Sequence, residues 1–230
     1  MYQSGRGSET CYPFISVIVP VYNERDIIEV KLANLKALDY SPFEIICVDG
    51  GSTDGTWEIL QHYWDAQVCF TSRNKICQLN YGLALAKGKI IVSTDVDGLM
   101  RKDCLRRIAE AFQDPRIGVV GAWVYPVSSY WLEQLYWHVT NKIRVLTGHS
   151  VVGTCCAWRR EMLDKFPPHV IAEDIYISQV ARKKGMKTVY SRTIQVGELK
   201  VPGNFQEFWR FRLRRWRAYW KLKNRRRRIK

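Results

Sequence analysis

The first hundred residues alternate short β-rich runs with segments of helical spacing, and few architectures accept that order. Ile15–Val19 is a run of β-formers stopped by Pro20 and reads as a buried strand. Asn23 is placed to cap the helix that follows, with Asp26 three residues on, and Ile27, Ile28, Leu32, Leu35 and Leu38 recur at helical spacing. Phe43–Val48 is a second strand, ended by Asp49-Gly50-Gly51-Ser52, and a helix from about Thr53 to Tyr63 comes next. Val68–Phe70 is a third short strand, followed by a helix through Leu79, Leu83 and Leu85 that closes at Lys87-Gly88. Ile90–Thr94 is the fourth. This order indicates βαβ units: an α/β fold with a mostly parallel central sheet covered by helices on both faces. Such sheets bind ligands in the loops beyond the strand C-termini, where Asp49, Asp95 and Asp97 fall.

The second half is less regular. Ile117–Val124 reads as another strand, Tyr130–Leu146 as an aromatic-rich helix, and Glu173–Lys184 as a helix ended at Gly185. At 230 residues and 47% apolar the chain is long enough to bury a core as one domain with a C-terminal appendage. Seven cysteines, an odd number with no C-x-x-C pair, argue for reduced thiols and against a structural zinc site. No signal-peptide pattern is visible and no run approaches the ~20 apolar residues that span a bilayer. The chain is therefore expected in solution or lying on a membrane.

Charge is unevenly placed. Residues 205–230 hold twelve Lys/Arg against Glu207 alone, which accounts for +11 of the formal +14. Within them Phe205, Trp209, Leu213, Trp216 and Trp220 fall on one face of a helix, with arginines on the flanks. Such a helix can pack on the body, lie in an anionic membrane surface, or bind nucleic acid. Trp and Tyr beside Arg suit a headgroup interface, and nucleic acid is the least favoured of the three.

Each acidic constellation has a plain reading and a chemical one. Asp95-Val96-Asp97, which ends an apolar strand and precedes Gly98, is either a solvated turn or a pair of oxygen ligands for Mn²⁺ or Mg²⁺. Two aspartates would complete such a site only when donor phosphate oxygens fill other positions. Asp49 either shapes a Gly-rich turn or accepts a hydrogen bond from a base or ribose; no G-K-[ST] follows, so the loop is not a P-loop. Glu173-Asp174 either favours a helix N-terminus through the macrodipole or supplies a general base at Asp174. Arg73 is either a surface charge or a cation that reaches donor phosphates.

Taken jointly, residues 14–220 resemble the family 2 glycosyltransferases, which have the GT-A fold. Ile15–Glu24 is similar to that family's opening strand and turn, which puts Pro20, Tyr22 and Glu24 on the donor side. Glu44–Thr56 resembles its second motif, which implies a nucleoside contact for Asp49; the usual second acid is Gly50 here. Arg73 with Gln78–Gly82 resembles the segment that approaches the diphosphate. Ser93–Gly98 is similar to the D-x-D motif, implying that Asp97 binds metal and Asp95 helps hold the donor. Val152–Glu161 with Glu173-Asp174 resembles the acceptor side and its base. Processive members carry Q-x-x-R-W; this chain has Arg212-Leu213-Arg214-Arg215-Trp216, with Arg215 and Trp216 on the acceptor or diphosphate side.

The resemblance divides the chain into an extension (1–13), a GT-A domain (14–204, with a nucleotide-binding half to residue 98 and an acceptor-binding half after it), and a basic aromatic helix and tail (205–230). It implies inverting, metal-dependent transfer of a hexose from a nucleoside diphosphate sugar to a saccharide or lipid-linked acceptor, with UDP-sugar ahead of GDP-mannose. The expected place is the cytoplasm, peripheral on the inner face of the membrane. The rival readings are a sugar nucleotidyltransferase, for which Val21–Glu24 is a poor phosphate loop, and a non-catalytic membrane or nucleic-acid adaptor.

Overall fold

The computed structural model describes residues 12–63, 67–147 and 151–213. The elements run β1 (Ile15–Val21), α1 (Ile28–Lys36), β2 (Phe43–Asp49), α2 (Thr56–Gln61), β3 (Gln67–Phe70), α3 (Lys75–Leu85), β4 (Ile90–Thr94) and β5 (Gly98–Met100). They continue with α4 (Cys104–Ala111), β6 (Ile117–Pro126), α5 (Trp131–Thr147), β7 (Cys155–Arg159), α6 (Glu173–Lys183) and β8 (Lys187–Glu198). A helical segment over residues 205–213, here α7, closes the described chain.

One eight-stranded sheet has the order β3-β2-β1-β4-β7-β6-β8-β5. The expected βαβ half is present: β1 pairs in parallel with both β2 and β4, and β2 with β3. Four of the seven strand pairings among the described residues are parallel, as expected, and the antiparallel ones lie beyond β4. β7 runs antiparallel to β4 and β6, and β5 antiparallel to β8, so the sheet is mixed. β8, twelve residues parallel to β6 with two register shifts, was not anticipated. Its Ser191-Arg192-Thr193 break hides the alternation of a half-buried strand.

Alternate side chains of β1 feed two cores. Ile15, Val17, Val19 and Val21 pack with α1, α2 and α4, whereas Ile18 joins Leu79 and Leu83 of α3 and Ile177 and Ala181 of α6. Ile28, Leu32 and Leu35 give α1 its buried stripe, as their spacing requires. A third cluster sets Trp137 of α5 against Val124, Val152 and Tyr190.

Three local expectations fail for identifiable reasons. β1 does not stop at Pro20 but continues to Val21, pairing there with β2 alone. The missing proline N–H is tolerated because the β4 ladder has already ended. Asn23 does not cap α1, which starts at Ile28 after Ile27 with no side-chain cap. Asn23 instead sits at φ 51 and its Oδ1 accepts from the Thr53 N–H, while its own N–H donates to Ser52 Oγ. It stitches the loop after β1 to the loop after β2. α2 is shorter than expected, beginning at Thr56, whose N–H donates to Asp54. The ending of α6 before Gly185 is as expected, with φ 70 at that glycine.

Candidate active site

The loops after β1 and β4 face one another across an open cleft lined by Pro20, Val21, Tyr22, Glu24, Lys75, Gln78, Asp95, Val96 and Asp97. Three of the sequence-derived residues, Pro20, Tyr22 and Glu24, thus line the same cleft as Asp95 and Asp97. The D-x-D turn is fastened from three directions. The Asp95 N–H donates to Thr154 O, the Leu199 N–H donates to Asp97 O, and Lys31 of α1 rises from beneath. Lys31 is fully buried; its Nζ donates to Thr94 Oγ1 at 2.9 Å and to Gly98 O. Gly98 suits the close approach of Thr154, since a Cβ there would lie 3.0 Å from Thr154 O and force it to shift.

Charge in the cleft is dense and incompletely balanced. Glu24 pairs with Lys200, and Lys75 Nζ bridges Asp95 at 2.6 Å and Glu173 at 2.5 Å. Burial, then the carboxylates of Asp95 and Glu24, push Asp97 up to about 6 against the opposing Lys31 and Lys200. Burial lowers Lys31 to about 8 despite the nearby Asp95 and Asp97. Burial alone would lower Lys75 too, yet Asp95 and Glu173 outweigh it and hold that ammonium above its ordinary value.

Asp174 stands in the first turn of α6, its Oδ1 accepting from the Ile175 N–H. Burial first, then Glu173, push it up to about 6, with Asp95 contributing in the same direction. It does not line the cleft itself but lies within electrostatic reach of it. Glu173 is buried beside it, and Gly153 leaves it room, since a Cβ there would approach Glu173 Oε1 to 3.0 Å.

The remaining sequence-derived residues are placed as follows. Arg73 is exposed and lays its guanidinium 4.3 Å from the centroid of Tyr22, at the lip of the cleft. Asp49 is fully buried, and its carboxylate receives the N–H groups of Gly51 and Ser52 and the Ser52 hydroxyl. It shapes the loop in which it sits. Gly50 backs onto Gln78, whose amide donates to Val21 O and Val48 O; a Cβ at residue 50 would come 2.9 Å from that amide nitrogen. A second acid there would displace Gln78. Arg215 and Trp216 lie outside the described residues.

Sequence reasoning missed Lys31 and Lys75. Lys31 carried a signal: it stands between Ile28 and Leu35 on the apolar face of α1, where a lysine has no reason to be unless its charge is used. Lys75 directly follows Arg73-Asn74, and Asn74 caps α3 by accepting from the N–H groups of Ile76 and Cys77.

A divalent metal suits the donor set. Among the described residues no three His, Cys, Asp or Glu form a metal-ligating group. Asp95 and Asp97 supply two hard oxygens, and burial together with the repulsion from Asp95 and Glu24, which raise Asp97, are what a bound cation would offset. Diphosphate oxygens would have to complete the shell.

Comparison with known proteins bears on the fold and the family. The mannosyltransferase PcManGT of Pyrobaculum calidifontis, solved in complex with GDP-Man and Mn²⁺, superposes with a TM-score of 0.70 at 28% identity, over 84% of this chain and 58% of that one. Staphylococcus aureus TarS 1–349 in complex with UDP-GlcNAc, at 22% identity and a TM-score of 0.64, shares the fold over 83% of this chain and 59% of its own. The GT-A architecture expected from the motifs is the one found. In sequence, the poly-beta-1,6-N-acetyl-D-glucosamine synthase of S. aureus is 32% identical over 115 residues, 46% of this chain and 27% of that protein. The putative teichuronic acid biosynthesis glycosyltransferase TuaG of Bacillus subtilis is 35% identical over 104 residues, 43% of this chain and 41% of its own length. The chain thus spans less than half the length of these curated relatives. The family description "Glycosyl transferase family 2" matches residues 16–166, well over half of the sequence and every residue that lines the cleft, and the chain belongs to that family.

Proposed function

We propose that the protein transfers a hexose from a nucleoside diphosphate sugar to a saccharide or lipid-linked acceptor, with inversion, in the biosynthesis of a polysaccharide or glycolipid. The observation that carries this reading is the cleft, where Glu24, Asp95 and Asp97 are brought together beside Lys75 and within reach of Asp174. Asp97, with Asp95, would hold Mn²⁺ or Mg²⁺, which when bound neutralises charge on the departing diphosphate. Pro20, Tyr22 and Glu24 flank the donor, Arg73 caps it from the lip, and Asp49 keeps the nucleoside-side loop in shape. Asp174, raised toward neutrality by burial and by Glu173, removes the acceptor proton as the hydroxyl attacks from the face opposite the nucleotide. Arg215 and Trp216 would act on the acceptor or diphosphate side.

UDP-sugar is the first donor to test and GDP-mannose the second; the relatives' complexes with UDP-GlcNAc and GDP-Man support each. The basic residues 205–230 would hold the protein peripherally on the cytoplasmic membrane face. Among the described residues no helix is long and apolar enough to cross a membrane.

The test is donor turnover by purified protein with Mn²⁺ across a panel of nucleotide sugars, for wild type and Asp174→Asn. Loss of about a thousandfold or more in Asp174→Asn identifies a hydroxyl nucleophile, while mild loss identifies an acceptor phosphate that is already ionised. Absence of turnover and of transfer with every nucleotide sugar would overturn the reading.

A further inference from the structure

α5 is apolar on its outward face as well as its inward one. Glu133, Trp137 and Asn141 are buried against the body, and the opposite ridge carries Trp131, Leu135, Val139, Ile143 and Leu146, which are between 45% and 84% exposed. The spacing of 4, 4, 4 and 3 makes this one continuous helix face, about 22 Å long at 1.5 Å per residue. An apolar face of that length on a protein surface marks a contact. Beside it α7 packs through Phe208 and Arg212 onto Tyr130, Glu133 and Tyr136, leaving Phe205, Trp209 and Leu213 exposed in turn. The stripe read from the sequence therefore does not form the seam with the body; the neighbouring row does.

We propose that the outward ridge of α5, together with the exposed aromatics of α7, seats in the headgroup region of an anionic phospholipid bilayer. The inference rests on the membrane association proposed above and names the surface responsible for it. Charge decides the occupant. Glu133 is the sole carboxylate between residues 115 and 160, and it points inward onto Arg212, so the ridge presents no negative charge. Exposed His138 and Lys142 flank the ridge. α7 leads directly into residues 214–230, which hold ten Lys/Arg and no acid. A second copy of the chain would set two such basic segments against each other, whereas anionic headgroups neutralise them. Apolar insertion and a polybasic segment are also the two signals that together give stable peripheral anchoring.

The test uses the full chain and sedimentation with vesicles of phosphatidylcholine alone or with about a third phosphatidylserine. Wild type is expected to sediment with the anionic vesicles only. The variant Leu135→Ser/Val139→Ser/Ile143→Ser should lose roughly a hundredfold in partitioning while still unfolding cooperatively, because these side chains are about half exposed. Leu146→Ser, the most exposed position, provides a milder second variant should the triple one fold poorly, and should lose a measurable part of the binding. Wild-type binding equalled by both ridge variants would overturn the ridge and leave attachment through the tail intact. A wild type that ignores anionic vesicles would overturn both. Light scattering that shows a wild-type dimer dissociated by the ridge substitutions would assign the face to a second copy instead. Donor turnover in solution is independent of all these outcomes.

Discussion

Two buried charge clusters in this molecule are built in opposite ways. Asp97 in the cleft and Asp174 beside it lie where burial and neighbouring carboxylates disfavour their ionised forms, and the nearby lysines only partly compensate. In the seam between α5 and α7, Glu133 is fully buried and Arg212 nearly so, and the two pair directly. The Arg212 guanidinium also lies 3.3 Å from the centroid of Tyr136 and 5.1 Å from that of Phe208, so its Nε and Nη1, which lack hydrogen-bond partners, are covered by aromatic faces. The first cluster leaves charge unbalanced for a ligand to complete. The second pairs its two charges directly, although Glu133 Oε2 is buried without a hydrogen-bond partner among the described residues. Removing a charge should therefore cost chemistry in the cleft and stability in the seam.

The largest effect should come from Asp97→Asn. Turnover of the donor with Mn²⁺ is expected to fall about a thousandfold or more, since a lost metal carboxylate forfeits several kcal/mol of leaving-group stabilisation. Its melting temperature without ligand should hold or rise, because a carboxylate facing Asp95 and Glu24 has gone. A variant that unfolds, or one that keeps most of its turnover, would erase the contrast between the two clusters.

Arg212→Gln probes the other side. It restores the glutamine that relatives with Q-x-x-R-W carry, yet here it strands Glu133 in a buried site. The expected loss is about 3 kcal/mol of stability, or roughly 6–12 °C in melting temperature for a chain of this size. Glu133→Gln added to it should recover most of that loss by removing the orphaned charge. Thermal melts of the two single variants and the double one make a cycle, and strict additivity would show that the pair is not coupled.

How much of this was legible in advance depends on where local pattern and tertiary environment agree. β1 to β4 are short apolar runs between glycine-bearing turns, so the parallel half and the placement of Asp95 and Asp97 could be read directly. β8 could not, because its middle is polar and its pairing with β6 is interrupted by register shifts. α5 was legible as a helix but not in orientation. It is apolar on most sides, and its inward face is chosen by Glu133 and Asn141, whose partners come from Arg212, Val124 and Tyr190 far along the chain. The Lys75 bridge between Asp95 and Glu173 likewise joins residues remote in sequence.

The smallest effect is also the most specific to Asp174. Its folded-state pKa of about 6 lies above the ordinary 3.8, so the folded protein binds that proton more tightly than the unfolded chain does. The resulting penalty is complete above about pH 6 and disappears as the pH falls toward 4. Asp174→Asn should therefore melt a few degrees higher than wild type at pH 7.5 and at the same temperature near pH 4. For the wild type, kcat/KM should fall below about pH 6 as the base becomes protonated. Asp97 titrates in the same range, but saturating Mn²⁺ should hold it ionised and move its limb to lower pH, leaving the Asp174 limb in place. A melting difference that is the same at both pH values would mean that Asp174 is not held against its charge. Its place beside Glu173 would then reflect the helix N-terminus alone.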